Sequence, residues 1–281
     1  MKKGFYVVFI ACLCMLMSTT GCSDKKPAAA DSTVMDKEAD TAVLDTLDAL
    51  ISEQPIPKAA DELFDDFFFT FAGNRKHQLE RIKFPLAVVS RGKTTAITKE
   101  QWKMESFFMS QGYYTLIFDN HKQLQLSKDT SINHVVVEKI YLAKKKVKKY
   151  NFDRLNGEWM LTSIENNAMY LNSNASFLAF YQQFATDTAF QIRSLNETVD
   201  YKGTNPENDQ EELEGEITPD QWDEFSPGEL PSGLIYNIIY GQKYTANNRK
   251  IFLLRGISNG QELEMTFKKM GAEWKLVKMV V

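Results

Sequence analysis

The sequence predicts an α+β fold built from two consecutive units of one design, at residues 59–171 and 172–281. Two observations carry that prediction. Three sequence blocks recur in the same order, and within each unit helical spacing gives way to strand-like alternation. A third observation, at the N-terminus, predicts a processed segment that carries lipid.

The repeat is specific. Phe64, Phe67, Phe68, Phe71, Ala72 and Gln78 align without a gap on Phe177, Phe180, Tyr181, Phe184, Ala185 and Gln191, at an offset of 113. Ile-Thr-Lys-Glu-Gln-Trp at 97–102 aligns with Ile-Thr-Pro-Asp-Gln-Trp at 217–222, offset 120. Phe152, Gly157, Glu158, Trp159 and Leu161 align with Phe267, Ala272, Glu273, Trp274 and Leu276, offset 115. Blocks that keep their order while the offset drifts by loop-sized amounts argue for tandem duplication. A unit of roughly 110 residues is large enough to hold its own core.

Each unit reads as helices first, strands later. Steps of 3, 1 and 3 between Phe64, Phe67, Phe68 and Phe71 put four rings on one helical face. Gly73-Asn74 is a stop signal, and 76–82 suits a second short helix. Thr98 offers an N-cap for a helix over 99–109 that Gly112 ends. Segments 113–118, 135–142, 147–152 and 159–164 are rich in β-branched and aromatic residues, as strands are. Asn156-Gly157 predicts a two-residue hairpin, because a type I′ turn needs positive φ at both positions. In the second unit Leu263, Met265 and Phe267 alternate with Glu264, Thr266 and Lys268, and Met270-Gly271-Ala272 turns into 274–279. The acidic run 207–216 reads as a solvated loop.

Helices followed by a curved antiparallel sheet, ending in a long hairpin with tryptophan on its last strand, resemble the nuclear-transport-factor-2-like fold. That is an α+β cone whose sheet wraps a helix. The Phe-x-x-Phe-Phe-x-x-Phe helix, Gln78, Arg81 and Phe84-Pro85-Leu86 are similar to an uncharacterised family of bacterial lipoproteins in which this cone is duplicated. The resemblance implies two tandem cones over about 59–281 and names no chemistry. The second unit departs from it at Glu197-Thr198-Val199, where the first has Phe84-Pro85-Leu86. Cones of this type include enzymes that bury an Asp or His as a general base, so the resemblance also makes Asp65, Asp66 and Asp119 candidates. Asp65 and Asp66 fall between the phenylalanines, on the expected outer face, and their counterparts are Leu178 and Ala179. A non-catalytic role, binding or scaffolding a ligand or partner through a cone cavity or the groove between the two units, is therefore expected over an enzyme of isomerase, dehydratase or hydrolase type and over a purely structural envelope protein.

The N-terminus reads as a signal peptide over 1–21: two lysines, a 13-residue apolar run over 5–17, then small residues up to Gly21-Cys22. A membrane span needs roughly 20 apolar residues, so this run is too short to be one. Its end resembles a bacterial lipobox, with Thr19 where leucine is commonest, which implies lipidation of Cys22. The expected place is the cell envelope, with Ser23 favouring the outer membrane. A tether and short helix follow over 22–58, the helix showing Val43, Leu47, Leu50 and Ile51 on one face. Asp-Ser/Thr triplets resemble an envelope O-glycosylation signal and make Ser32, Thr41 and Thr46 candidate acceptors.

Composition excludes several classes. Cys12, Cys14 and Cys22 are the three cysteines, so beyond Cys22 there is no thiol for a disulfide, a nucleophile or a zinc site. The overall charge of −4 divides into +4 for 61–171 and −6 for 172–281, too little positive charge for nucleic acid. His77, His121 and His134 lack metal-ligand spacing, and surface positions are expected for all three. No metal or cofactor is expected, and no phosphate-binding glycine loop is present. Two features remain as candidate sites. Gln78 and Gln191 recur in both units, either bonded within the protein or contacting a ligand at a cone mouth. Lys144, Lys145, Lys146, Lys148 and Lys149 either guard a hairpin tip or exposed edge, or contact an anionic surface. The expected partners are the membrane through the lipid, and an envelope protein, a glycan or a small apolar ligand.

Overall fold

The computed structural model describes residues 63–205, 208–245 and 248–281. The signal segment, Cys22, the tether, the triplets at Ser32, Thr41 and Thr46 and the short helix after them lie outside the described residues.

The chain opens with α1 (Phe64–Gly73), whose Phe64, Phe67, Phe68 and Phe71 are buried as the spacing predicts. Asn74 ends it and caps α2 (Arg75–Glu80) by accepting from the His77 amide. Strands β1 (Ile82–Ser90), β2 (Lys93–Ile97) and β3 (Tyr113–Phe118) come next, then a short α3 (His121–Leu124). Strands β4 (His134–Tyr141), β5 (Lys146–Leu155) and β6 (Glu158–Ala168) complete the first half. Asn156 and Gly157, at φ 52° and 87°, make the predicted two-residue turn. The second half also begins with two helices and two strands, α4 (Ala175–Phe184), α5 (Thr188–Arg193), β7 (Leu195–Asn205) and β8 (Asn208–Ile217), but its short α6 (Trp222–Phe225) comes before its third strand. It ends with β9 (Leu234–Ile239), β10 (Arg249–Gly256), β11 (Glu262–Met270) and β12 (Glu273–Val280).

The twelve described strands form two six-stranded sheets, ordered β2-β1-β6-β5-β4-β9 and β8-β7-β12-β11-β10-β3. Each half therefore places one strand in the other half's sheet. β3 pairs antiparallel with β10 and β9 with β4. A cut at 171/172 runs through both sheets. The two exchanged edges meet side by side and satisfy each other through side chains. Asn237 Oδ1 accepts from the Ile117 amide at 2.9 Å, and the Thr115 hydroxyl accepts from the Tyr236 amide and donates to its carbonyl. The sheets are mixed rather than wholly antiparallel as expected, because β1 runs parallel to β6 and β7 parallel to β12.

Two other expectations are corrected. No helix runs over 99–109. Trp102, Phe107 and Phe108 all enter the core there, and no single helical face would deliver them. The acidic run contributes an edge strand, β8, not a loop; exposed Glu211, Glu212, Glu214 and Glu216 on it are the charges that discourage edge-to-edge pairing.

The repeated blocks have a structural explanation. Trp102 Nε1 donates to Gln78 Oε1 at 3.1 Å, and Trp222 Nε1 to Gln191 Oε1 at 3.0 Å. Gln101 and Gln221 accept from the Thr98 and Thr218 amides in the same way. Trp159 stands edge-on to Phe64 with centroids 5.1 Å apart, and Trp274 to Phe177 at 5.6 Å. All three blocks serve to hold helices against a sheet. Each sheet covers a separate aromatic core.

Candidate functional site

The lysine cluster lies at one end of the first sheet, where three chain reversals converge. The β1–β2 turn supplies Arg91 and Gly92, both at positive φ. The β4–β5 turn supplies Lys144 and Lys145, and Lys146 opens β5. The end of β6 runs into a 3-10 turn at Met169–Leu171, whose Met169 amide donates to the Lys145 carbonyl at 2.9 Å. Together they line a groove of about 1010 Å³. Its cations are Arg91, Lys144, Lys145, Lys146 and Lys148, and no carboxylate is among its lining residues.

The structure divides the five lysines. Lys144, Lys145 and Lys146 are exposed. Lys148 is half-buried above the Tyr150 ring at 4.6 Å, with its ammonium 3.8 Å from Glu105. Burial pushes its pKa down. Lys149 points the other way, 3.6 Å from Glu138, and does not line the groove. β5 is paired on both sides, by β4 and by β6, so these lysines guard no exposed edge; Lys144 and Lys145 do lie on a hairpin tip. Below the groove, Glu105 accepts from Lys139 at 2.8 Å and from Tyr150 at 2.5 Å. Burial raises its pKa, but these bonds more than offset that and leave the carboxyl below its ordinary range.

Gln78 and Gln191 lie elsewhere. The Gln78 amide donates to Phe71 and Glu105 carbonyls at 2.9 and 2.7 Å, and its oxygen accepts from Trp102 and from the Glu105 amide. Gln191 Nε2 donates to the Phe184 carbonyl at 2.8 Å. Both are buried ties between helix and following chain, so the geometry supports the bonded reading.

The carboxylates fall differently from expectation. Asp66 is exposed, but Asp65 is not turned outward: it accepts from Tyr240 at 2.7 Å. Burial pushes the Asp65 carboxyl up to about 6, against the opposing effects of Tyr240 and Arg255. Asp119 is buried in an ion pair with Lys250. Glu138, fully buried at the seam between the sheets, accepts from Asn172 at 2.7 Å and Asn237 at 2.9 Å. His77 is buried against Phe67 and Phe71, not on the surface as expected, because α2 folds back over α1. His121 and His134 are exposed beside Glu264 and Asp153.

Arg91, Tyr170 and Leu171 are groove residues that sequence reasoning missed. Tyr170 and Leu171 are 78% and 65% exposed. Two large apolar side chains side by side after a strand were the available signal. Among the described residues, no cluster of His, Cys, Asp and Glu could hold a metal ion, and no helix is long and apolar enough to cross a membrane.

Residues 43–281 match the profile of a domain of unknown function, DUF4348. The fold is similar to the crystal structure of an NTF2-like protein from Bacteroides fragilis, with a TM-score of 0.71 and 37% sequence identity, covering 81% of this chain and 98% of that one. No curated protein matches the sequence.

Proposed function

This chain belongs to the DUF4348 family, and from that premise we propose that it is a non-catalytic binding protein of the cell envelope whose basic groove takes an anionic partner. One observation carries the reading: five cations converge on an open groove that no carboxylate lines. Like charges held together in this way raise the local potential and draw an anion to the site. Both cores beneath the sheets are rich in packed aromatic side chains, which supports a recognition surface at the sheet's end over one inside a cone.

In this reading the chain is a duplicated pair of NTF2-like cones, 59–171 and 172–281, that have traded one strand. The similarity to the Bacteroides fragilis protein supports the cone, and the repeated blocks support the duplication. Lipid on Cys22 holds the protein to the envelope, with the outer membrane favoured. Ser32, Thr41 and Thr46 are acceptor positions on the tether. Replacing Cys22 by Ser should abolish lipidation and leave the signal segment uncleaved; unchanged mass and membrane fractionation would contradict the anchor.

The groove is tested with polyphosphate as a soluble probe and the full chain as the receptor. Binding is expected at low salt, to weaken as the Debye length falls below ~8 Å, and to be lost in the variant Lys144→Gln/Lys145→Gln/Lys146→Gln. Retention of binding by that variant would remove the groove as the site. The rival reading, a cavity enzyme, has one observation in its favour: Asp65, half-buried and hydrogen-bonded by Tyr240. Asp65 is not among the residues lining the groove.

A further inference from the structure

We infer that the partner of the basic groove is an anionic lipid surface, with Tyr170 and Leu171 entering the headgroup layer while Lys144, Lys145 and Lys146 meet its phosphates. This rests on the anionic-partner reading above and names the partner.

The apolar pair decides between a soluble anion and a surface. A phosphate-bearing solute would be held by the lysines alone and would leave an exposed tyrosine and leucine without use. Isolated exposed apolar residues are common and need no explanation. This pair is different because it is consecutive, borders the groove, and is held rigidly. Met169, immediately before it, is buried, and its amide is bonded to the Lys145 carbonyl. Asn172, immediately after it, is anchored on the buried Glu138. The turn cannot fold its two side chains inward without breaking one of these ties.

The pairing of residue types suits a lipid interface. Tyrosine is enriched at the headgroup level, where its ring is buried and its hydroxyl stays wet. Leucine adds buried apolar area, and lysines close to an anionic leaflet add attraction within a Debye length. The corresponding tip of the second sheet, between β10 and β11, reads Ile-Ser-Asn-Gly-Gln and carries no cation. The surface is therefore a property of the first sheet, in line with the +4 charge of 61–171.

The test presents the full chain to vesicles of phosphatidylcholine alone and of phosphatidylcholine with phosphatidylglycerol. Because an N-terminal lipid would hold the chain on either vesicle, the readout is local. Lysine acylation by a water-soluble ester and hydroxyl-radical oxidation of Tyr170 and Leu171 are measured by mass spectrometry, with exposed Lys268 as the reference. On the anionic vesicles all five side chains should be protected severalfold, and on neutral ones not. In the lysine-to-glutamine triple variant, Tyr170 and Leu171 should lose their severalfold protection on the anionic vesicles, because the attraction that seats them on the leaflet is gone. Tyr170→Ala/Leu171→Ala should lose protection of the lysines while keeping the fold, since neither side chain is packed. Equal protection on both vesicles, or protection of the lysines without the apolar pair, would overturn the inference. Protection by polyphosphate and not by vesicles would overturn it while leaving the anionic-partner reading intact. Protection by neither would overturn both.

Discussion

Lys250 and Asp119 come from opposite halves of the chain and form a buried ion pair, with Nζ 2.5 Å from Oδ1 and side chains 4% and 1% exposed. The contact exists because β3 sits beside β10, a register that aligns Phe118 with Ile251. Asp119 Oδ2 also accepts from the Thr245 amide at 3.0 Å, and Lys250 lies 4.7 Å above the Tyr244 ring. Removing one partner leaves an uncompensated buried charge. Lys250→Met should cost about 3–5 kcal/mol by urea unfolding, and Asp119→Leu in the same chain should recover much of it. A double variant no more stable than the single one would mean the pair is not what holds this corner.

The exchange of β3 and β9 makes a prediction about the halves. The first core takes Tyr236, Ile238, Tyr240, Ile251 and Leu253 from the second half, and the second core takes Ile117, Ile140, Leu142, Val147 and Met169 from the first. Fragments cut at 171/172 should each show poorly dispersed amide NMR spectra alone and regain dispersion on mixing. A fragment that folds cooperatively by itself would refute the interdependence.

Gln78 should matter for stability and not for binding. Gln78→Leu strands the Trp102 indole N–H and the Phe71 and Glu105 backbone groups, which at about 1–3 kcal/mol for an unsatisfied buried group predicts a clear loss. Gln191→Leu should cost less, because Gln191 makes two bonds of this kind against four. Polyphosphate binding by folded Gln78→Leu protein should match that of the parent.

Asp65 predicts a pH dependence. Its folded pKa, about 6, lies above the ordinary value of 3.8, so between these pH values the folded state holds more protons than the unfolded one. Its contribution is therefore favourable below pH 3.8, declines as pH rises through 6, and is flat above. Asp65→Asn keeps an acceptor for Tyr240 and removes the charge, so it should stabilise the protein at pH 7 by about 1–3 kcal/mol and flatten the curve across that window. Identical pH profiles for parent and variant would show that Asp65 titrates normally.

Local pattern was legible in the sequence. Helical spacing of phenylalanines placed α1 and α4, Asn156-Gly157 placed a turn, and β-branched and aromatic runs placed β3 to β6, because such signals depend on a few neighbouring residues. The repeated blocks marked the parts that clamp helix to sheet, and the lysines marked part of the groove. Partner choice was not legible. Leu116, Ile117 and Phe118 of β3, and Ile235, Tyr236, Asn237 and Ile238 of β9, are buried on both faces. A strand apolar on both sides says that it lies inside and not which sheet it joins. The segment 99–109 failed for a related reason: its bonds to Gln78 and its core aromatics outweighed a helix propensity that is only a weak prior. The groove emerged only when tertiary structure brought Arg91, the lysine tip and Tyr170-Leu171, far apart in the chain, to one end of a single sheet.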